Sequence, residues 1–180
     1  MKIYVMRHVG TNWNEKWITQ GRSQNMLSKT GKAEAIEVAK KFATTKIDLI
    51  ICSPLKRTVQ TANLMNEYHH VKIIKDKHLI ELDQGVFTGQ KYSKQTPEEQ
   101  EAKRLRLDGY GLEKFISVYQ RVKEFADNLP KNYPYENILV ITHESPAVYL
   151  SAILSKQKIN TDNPFTMSRF KNAEIKSFEL

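Results

Sequence analysis

The stretch Ile47-Asp48-Leu49-Ile50-Ile51-Cys52-Ser53-Pro54-Leu55-Lys56-Arg57 changes its period halfway along. Its first six residues form a short, mostly apolar run, the pattern of a strand buried on both faces. Ser53-Pro54 then reads as an N-cap and first-turn pair, with Leu55, Val59, Ala62 and Met65 on one face of the helix behind it. The unit is a strand feeding a helix, and it recurs outward in both directions. Toward the amino terminus, Lys2 to Met6 reads as a buried strand ending at Arg7-His8. After Thr30-Gly31, the positions Ala35, Ile36, Ala39, Phe42 and Ala43 mark a helix. Toward the carboxyl terminus, Ile138 to Thr142 is the most apolar strand of that half and ends at His143, and Pro146 suits the first turn of a further helix.

Between these units the signals are weaker. Val71 to Ile74 and Leu79 to Leu82 are strand candidates, with Gly85 and Gly89 marking a loop after them. Thr96-Pro97-Glu98-Glu99 carries a capping box and predicts a helix start. A second helix is expected from Leu112 to Leu129, closed by Pro130, and Ala173 to Phe178 reads as a last strand. Strands alternating with helices predict an α/β fold: a three-layer sandwich whose mostly parallel central sheet is flanked by helices on both faces. No repeat, low-complexity tract or linker divides the chain, so residues 1–180 are expected to form one domain, with 85–111 as a cap or lid.

The 180 residues are 40% apolar and 27% charged, which fits neither disorder, nor a collagen-like chain, nor a coiled coil. A single cysteine, Cys52, excludes an intramolecular disulfide framework and any Cys-rich zinc module. The apolar run before Arg7 is too short for a signal-peptide core, and no run approaches the roughly 18–20 residues of a membrane span. A cytoplasmic protein without a membrane partner is expected. The formal charge of +8 is concentrated in residues 1–60, where 11 basic and 4 acidic side chains leave +7. Much of that surplus is a solvated helix face carrying Lys32, Lys40 and Lys41. No aromatic platform, zinc finger or helix-turn-helix pattern accompanies it, so no specific nucleic-acid partner is expected.

Ligands of open α/β sheets bind beyond the carboxyl ends of the strands. Three strands here end in anion-binding or reactive chemistry: Arg7-His8, Cys52-Ser53 leading to Arg57, and Thr142-His143-Glu144. Two imidazoles and two guanidiniums at one sheet edge would surround a tetrahedral anion, because guanidinium forks match phosphate oxygens. Taken singly, each has a plainer reading as a strand end or a solvated helix residue. His69, His70 and His78 show no metal-ligand spacing or carboxylate context and are read as surface or packing residues. Cys52 and Arg57 are separated by four residues, one short of the Cys-x5-Arg loop of cysteine phosphatases, so Cys52 is read as a buried strand residue. Trp13 and Trp17, four apart, are expected on one face of a helical turn, with contact to substrate at the pocket mouth as the alternative. The segment Thr96 to Leu107, with Lys103, Arg104 and Arg106, is expected to face solvent.

Taken in order, these residues resemble the histidine phosphatase superfamily, whose members include cofactor-dependent phosphoglycerate mutases and many small phosphatases. Arg7-His8-Val9-Gly10-Thr11-Asn12-Trp13-Asn14 resembles its R-H-G-x-T-x-x-N signature. Gln20-Gly21 with Leu27-Ser28-Lys29-Thr30-Gly31 resembles the downstream Q-G and L-[ST]-x-x-G, and Ser53 to Arg57 with Thr61-Ala62 resembles S-x-L-x-R-x-x-x-T-A. Glu81, Gly85 and Gly89 resemble E-x-x-x-G-x-x-x-G, Gly111-Leu112-Glu113 resembles a G-x-E before Arg121-Val122, and Ile138 to His143 resembles the strand bearing the second histidine.

The resemblance implies a metal-independent phosphatase, with no cofactor, that hydrolyses small phosphate monoesters through a phosphohistidine on His8. Arg7, Arg57 and His143 would hold the phosphoryl oxygens, and Glu81 would protonate the leaving oxygen. Asn14 would add a neutral donor, while Thr11, Gln20, Gly21 and Glu113 would line the substrate side. Small phosphorylated metabolites such as sugar phosphates or phosphoglycerates are the expected partners. A phosphoglycerate mutase-type transferase is the first alternative. The family's mutases are usually longer, which leans the expectation toward hydrolysis. Two positions depart from the pattern. Val9 stands where a glycine is usual, and is expected to bring a branched side chain near the phosphate. Glu144 follows the second histidine, resembling the acid-phosphatase branch, and is a rival proton donor. Both support a further alternative, a catalytically weakened phospho-ligand-binding protein.

Overall fold

The computed structural model describes residues 1–180. Strand β1 (Lys2–Arg7) leads through the short helix α1 (Asn12–Glu15) to α2 (Lys29–Phe42), and β2 (Leu49–Cys52) feeds α3 (Lys56–Met65). An edge strand β3 (Ile73–Lys75) is followed by three single-turn 3-10 segments and α4 (Pro97–Leu105). Helix α5 (Phe115–Asn132), strand β4 (Asn137–Thr142), α6 (Glu144–Leu154) and β5 (Ile175–Glu179) complete the chain. The five strands lie in the order β3-β2-β4-β1-β5, all parallel except β5, which runs antiparallel beside β1.

The near-continuous apolar runs are explained by burial on both faces. Ile3, Val5, Leu49, Ile51, Ile138 and Val140 point to one side, where they pack against Val118, Val122 and Phe125 of α5 and Ala147, Val148 and Leu150 of α6. Their neighbours Met6, Ile50, Cys52, Leu139 and Ile141 point to the other, under Ala35 and Ala39 of α2 and Ala62 and Met65 of α3. The period-two alternation is therefore present, with both phases apolar. Cys52 is a buried core residue, and burial pushes its thiol up to about 11.

Several local expectations are corrected. Ser53 is not the cap of α3: the residue before the helix is Leu55, and the Ser53 hydroxyl is turned to His143. The start of α2 is one turn earlier than the Thr30-Gly31 reading, because Ser28 caps it by accepting from Gly31 N–H at 3.0 Å. Gly31 is required there, since a Cβ would fall 1.9 Å from the Gly10 carbonyl oxygen. Leu79 to Leu82 forms no strand. Leu79 ends a 3-10 turn capped by Asp76, and Leu79 and Leu82 are apolar because they pack into the core beside α5. Pro130 lies inside α5, which runs on to Asn132. Its missing N–H deprives only one carbonyl close to the helix end.

Trp13 and Trp17 do not share a helical turn, because α1 stops at Glu15 and Trp17 has a left-handed backbone with φ of 52°. The end of α4 faces solvent at Arg104 and Leu105, as expected, but not at Arg106. Arg106 caps it in the left-handed region and is buried, donating to the carbonyls of Glu113 and Asp83 and to Gln84. Lys103 donates to Thr19 Oγ1 at 2.8 Å, and burial lowers its ammonium to about 8. His78 has a carboxylate partner after all: its Nδ1 lies 2.7 Å from Asp76 Oδ1. No helix is long and apolar enough to cross a membrane.

Candidate active site

The register of three adjacent strands assembles the cluster. Arg7 pairs with Thr142 across β1 and β4, and Cys52 pairs with Ile141 across β2 and β4. The next residues of each strand, His8, Ser53 and His143, therefore emerge side by side at the carboxyl edge. Backbone bonds from His8 N to Thr142 O (2.9 Å) and from Ser53 N to Ile141 O (3.1 Å) hold this row. Each strand is apolar up to its last residue and polar directly after it. The two imidazole rings lie 5.3 Å apart, both buried.

Arg57 comes to this row from the first turn of α3 and is fully buried. Its Nε donates to His8 Nε2 and to His143 Nδ1, each at 3.2 Å. Its Nη1 donates to Ser23 O (2.9 Å) and Asn25 Oδ1 (3.0 Å), and Nη2 to Gly21 O (2.8 Å). Burial lowers the guanidinium to about 10, so it remains charged near neutrality.

These contacts settle both histidine tautomers, because a guanidinium has donors and no acceptor. His8 Nε2 must present a lone pair, so its proton sits on Nδ1 and is donated to Val9 O at 2.7 Å. His143 Nδ1 likewise accepts, and its Nε2–H is donated to Ser53 Oγ at 2.7 Å. Burial, followed by the positive charge of Arg57, holds both imidazoles well below the ordinary 6.5, so both are neutral.

Arg7 approaches from the other side. Its Nη1 donates to Phe170 O at 2.7 Å and meets Glu144 Oε2 at 3.1 Å, while its buried Nε has no acceptor within the chain. The Glu144 carboxylate is also held by Arg169, whose Nε donates to it at 2.6 Å. Glu81 follows the 3-10 turn anchored beside β4 by the Thr142 hydroxyl on Leu79 O. Its oxygens accept from Leu82 N–H (2.8 Å) and from Glu144 N–H at the start of α6 (3.2 Å). Burial raises its carboxyl above the ordinary 4.5, opposed by the Leu82 hydrogen bond and by Arg57 and Arg7.

The expected site residues thus fall into three groups. His8, Arg57 and His143 form a buried contact cluster, Arg7, Glu81 and Glu144 are linked in a second group around the start of α6, and the remainder stand behind or away from both. Gln20 and Gly21 stand behind Arg57: Gly21 supplies a carbonyl, and Gln20 Oε1 accepts from Asn25 at 2.7 Å. Thr11 is fully buried as the cap of α1, its hydroxyl accepting from Asn14 N–H, so it does not line the substrate side. Asn14 Oδ1 accepts from Thr11 N–H, while the residue also lines an adjoining cleft. Glu113 is turned away into a bridge between Arg22 (2.9 Å) and Arg121 (3.3 Å), beneath Asp83 N–H. The Val9 side chain lies in the core with Leu27, Ala35 and Ala39, so it adds no branched group at the phosphate side.

Sequence reasoning missed Asn172, which donates to His8 O at 2.9 Å, together with Arg169 and Arg22. Arg169 and Asn172 arrive only because β5 folds back antiparallel to β1, and no local motif announces that. The one signal was the set of polar residues Arg169, Lys171 and Asn172 before the last strand.

The chain is similar to known proteins. "Phosphoserine phosphatase 1" of Hydrogenobacter thermophilus is 30% identical over 154 residues, covering 81% of this chain and 72% of that protein. The "Probable phosphoglycerate mutase GpmB" of Enterobacter sp. is 36% identical over 109 residues, covering 61% of this chain and about half (51%) of that relative. The crystal structure of the alpha-ribazole phosphatase from Shigella flexneri superimposes with a TM-score of 0.87 at 21% identity, covering 100% of this chain and 91% of that one, which shows the shared fold. The model of the histidine phosphatase superfamily (branch 1) matches residues 3–180, and the chain is an enzyme of that superfamily.

Proposed function

We propose that the protein hydrolyses phosphate monoesters, with His8 as the nucleophile. The observation that carries this reading is the Nε2 lone pair of His8, fixed by a backbone acceptor on Nδ1 and facing a buried guanidinium. A neutral imidazole so oriented attacks without first losing a proton. The substrate's phosphoryl oxygens take over the Arg57 Nε–H now shared between the rings, together with the free Nε–H of Arg7. Positioning and charge stabilisation carry most of phosphoryl transfer, and the two guanidiniums supply them without a metal, while the neutral His143, its N–H given to Ser53, positions Arg57 Nε.

In the first step the ester P–O bond breaks as the Nε2–P bond forms, and the leaving alkoxide takes the proton of Glu81. In the second, Glu81 removes a proton from water, the hydroxide attacks phosphorus, the N–P bond breaks and inorganic phosphate leaves. Glu81 suits the acid role because burial keeps its carboxyl protonated to higher pH. Glu144 suits it less, since its carboxylate is already engaged by Arg7 and Arg169.

The test is release of inorganic phosphate from alkyl and aryl phosphates in excess chelator. His8→Ala is expected to fall by about a thousandfold or more. Undiminished turnover in the variant removes His8 as nucleophile. Isomerised phosphoester in place of free phosphate identifies a mutase.

A further inference from the structure

A cleft of about 570 Å³ opens from the Arg7 and Glu144 side of the cluster. That volume lies within the ~300–1,000 Å³ of small-molecule sites and far exceeds what a phosphate group fills. Its outer wall is apolar and aromatic: Trp13, Trp17, Ile18 and Tyr92.

Trp17 leaves 80% of its surface exposed, and Tyr92 leaves 52%. Trp17 also holds a left-handed backbone, a conformation that strains a non-glycine residue. Packing does not explain an indole that is both strained and solvated. The wall is nevertheless built. Trp17 N–H donates to Asn14 O (3.2 Å), and Trp17 O accepts from Tyr92 N–H (3.0 Å). Thr19 N–H donates to Gln90 O (2.9 Å), so two loops are laced into one face beside the cluster. Of the cations at this end, Arg169 is engaged with Glu144 and Lys103, beside the Tyr92 ring, with Thr19 Oγ1, which leaves little to attract a second carboxylate on the substrate.

Resting on the phosphatase reading, we propose that this wall is a leaving-group subsite. It selects phosphomonoesters whose alcohol carries a flat aromatic ring over short acidic esters such as phosphoglycerates.

The experiment compares 2-phenylethyl phosphate with n-propyl phosphate, whose alkoxides leave with similar ease, in the wild type and in Trp17→Ala. Stacking on an indole predicts a wild-type kcat/KM preference of about tenfold for the phenyl ester, expressed in KM. Trp17→Ala is expected to remove most of that preference. A wild-type preference below about twofold, or one that survives in Trp17→Ala, overturns the proposal. Titration with 2-phenylethylphosphonate and n-propylphosphonate keeps the two readings separate. Preferential binding of the phenyl compound without hydrolysis of either ester supports the subsite and removes the phosphatase reading. Equal binding with hydrolysis of both esters does the reverse.

Discussion

Two arginines flank the same histidines and are held in opposite ways. Arg57 is fully buried, and each of its donor nitrogens meets a partner: two rings, two main-chain carbonyls and the Asn25 amide oxygen. The Arg7 side chain retains 15% exposure, shares one nitrogen between a carbonyl and a carboxylate, and keeps Nε without an acceptor. The first is fixed to the chain through Nη1 and Nη2 and can redirect only its Nε–H, whereas the second can exchange its carboxylate partner. A site that must bind and release an anion uses both kinds: one cation that never moves, and one whose resting partner, Glu144, a phosphate can displace.

The sharpest way to break the comparison is to truncate each arginine. Both Arg57→Ala and Arg7→Ala are expected to lower kcat/KM by about a thousandfold, as loss of transition-state donors does. Arg7→Ala, which frees only the Phe170 carbonyl, should cost the smaller loss of Tm, and Arg57→Ala should lower Tm by about 4–8 °C. It strands the Gly21 and Ser23 carbonyls in the interior, at about 2 kcal/mol. Equal Tm losses, read by calorimetry, would show that both are structural.

The carboxylates extend the contrast at smaller scale. Glu81→Gln should reduce kcat for alkyl phosphates by about a hundredfold and much less for p-nitrophenyl phosphate, whose leaving group needs no proton. Glu144→Gln releases Arg7 from its resting partner and should tighten inhibition by inorganic phosphate by about threefold. If Glu144→Gln instead shows the leaving-group dependence, the acid has been assigned to the wrong residue.

The smallest effect is on stability against pH. His8 and His143 are neutral when folded and charge near 6.5 when unfolded, so below that value the unfolded chain binds more protons. Stability falls as pH drops through it, by up to about 1.4 kcal/mol per histidine per pH unit. Glu81 acts in the opposite direction. Its raised carboxyl binds its proton first in the folded state, so part of the loss is recovered between its folded value and 4.5. Tm measured from about pH 7 to pH 5 should drop by several degrees, and His143→Asn should flatten the slope by about half. A flat wild-type profile would mean that the rings are charged in place.

The most legible parts of this site, Arg7, His8 and His143, lie at or one step past the end of a regular strand, and Arg57 follows β2 in the first turn of α3. Val5-Met6-Arg7-His8 and Val140-Ile141-Thr142-His143 each carry their chemistry at a fixed step past an apolar run, so finding the strand finds the residue. What was misread lies where side chains had two uses. Ser53 has the composition of a cap and serves as a histidine partner, and Thr11 has the position of a ligand and serves as a cap. Glu113 matched a motif, yet its charge is taken up by Arg22 and Arg121, and no one-dimensional pattern records which cations fold toward it. Arg169 and Asn172 depend on an antiparallel return of β5 that only the assembled sheet specifies.

At Val9 a carbonyl oxygen orients the His8 ring, and this separates that orientation from the identity of the side chain. The group that holds His8 belongs to the peptide backbone, so it persists whichever amino acid occupies position 9. The side chain there answers to the space beneath α2 and to nothing in the reaction. Over evolutionary time this position can drift among residues that fit that space while the chemistry is inherited unaltered, and a valine there is no mark of a decaying enzyme.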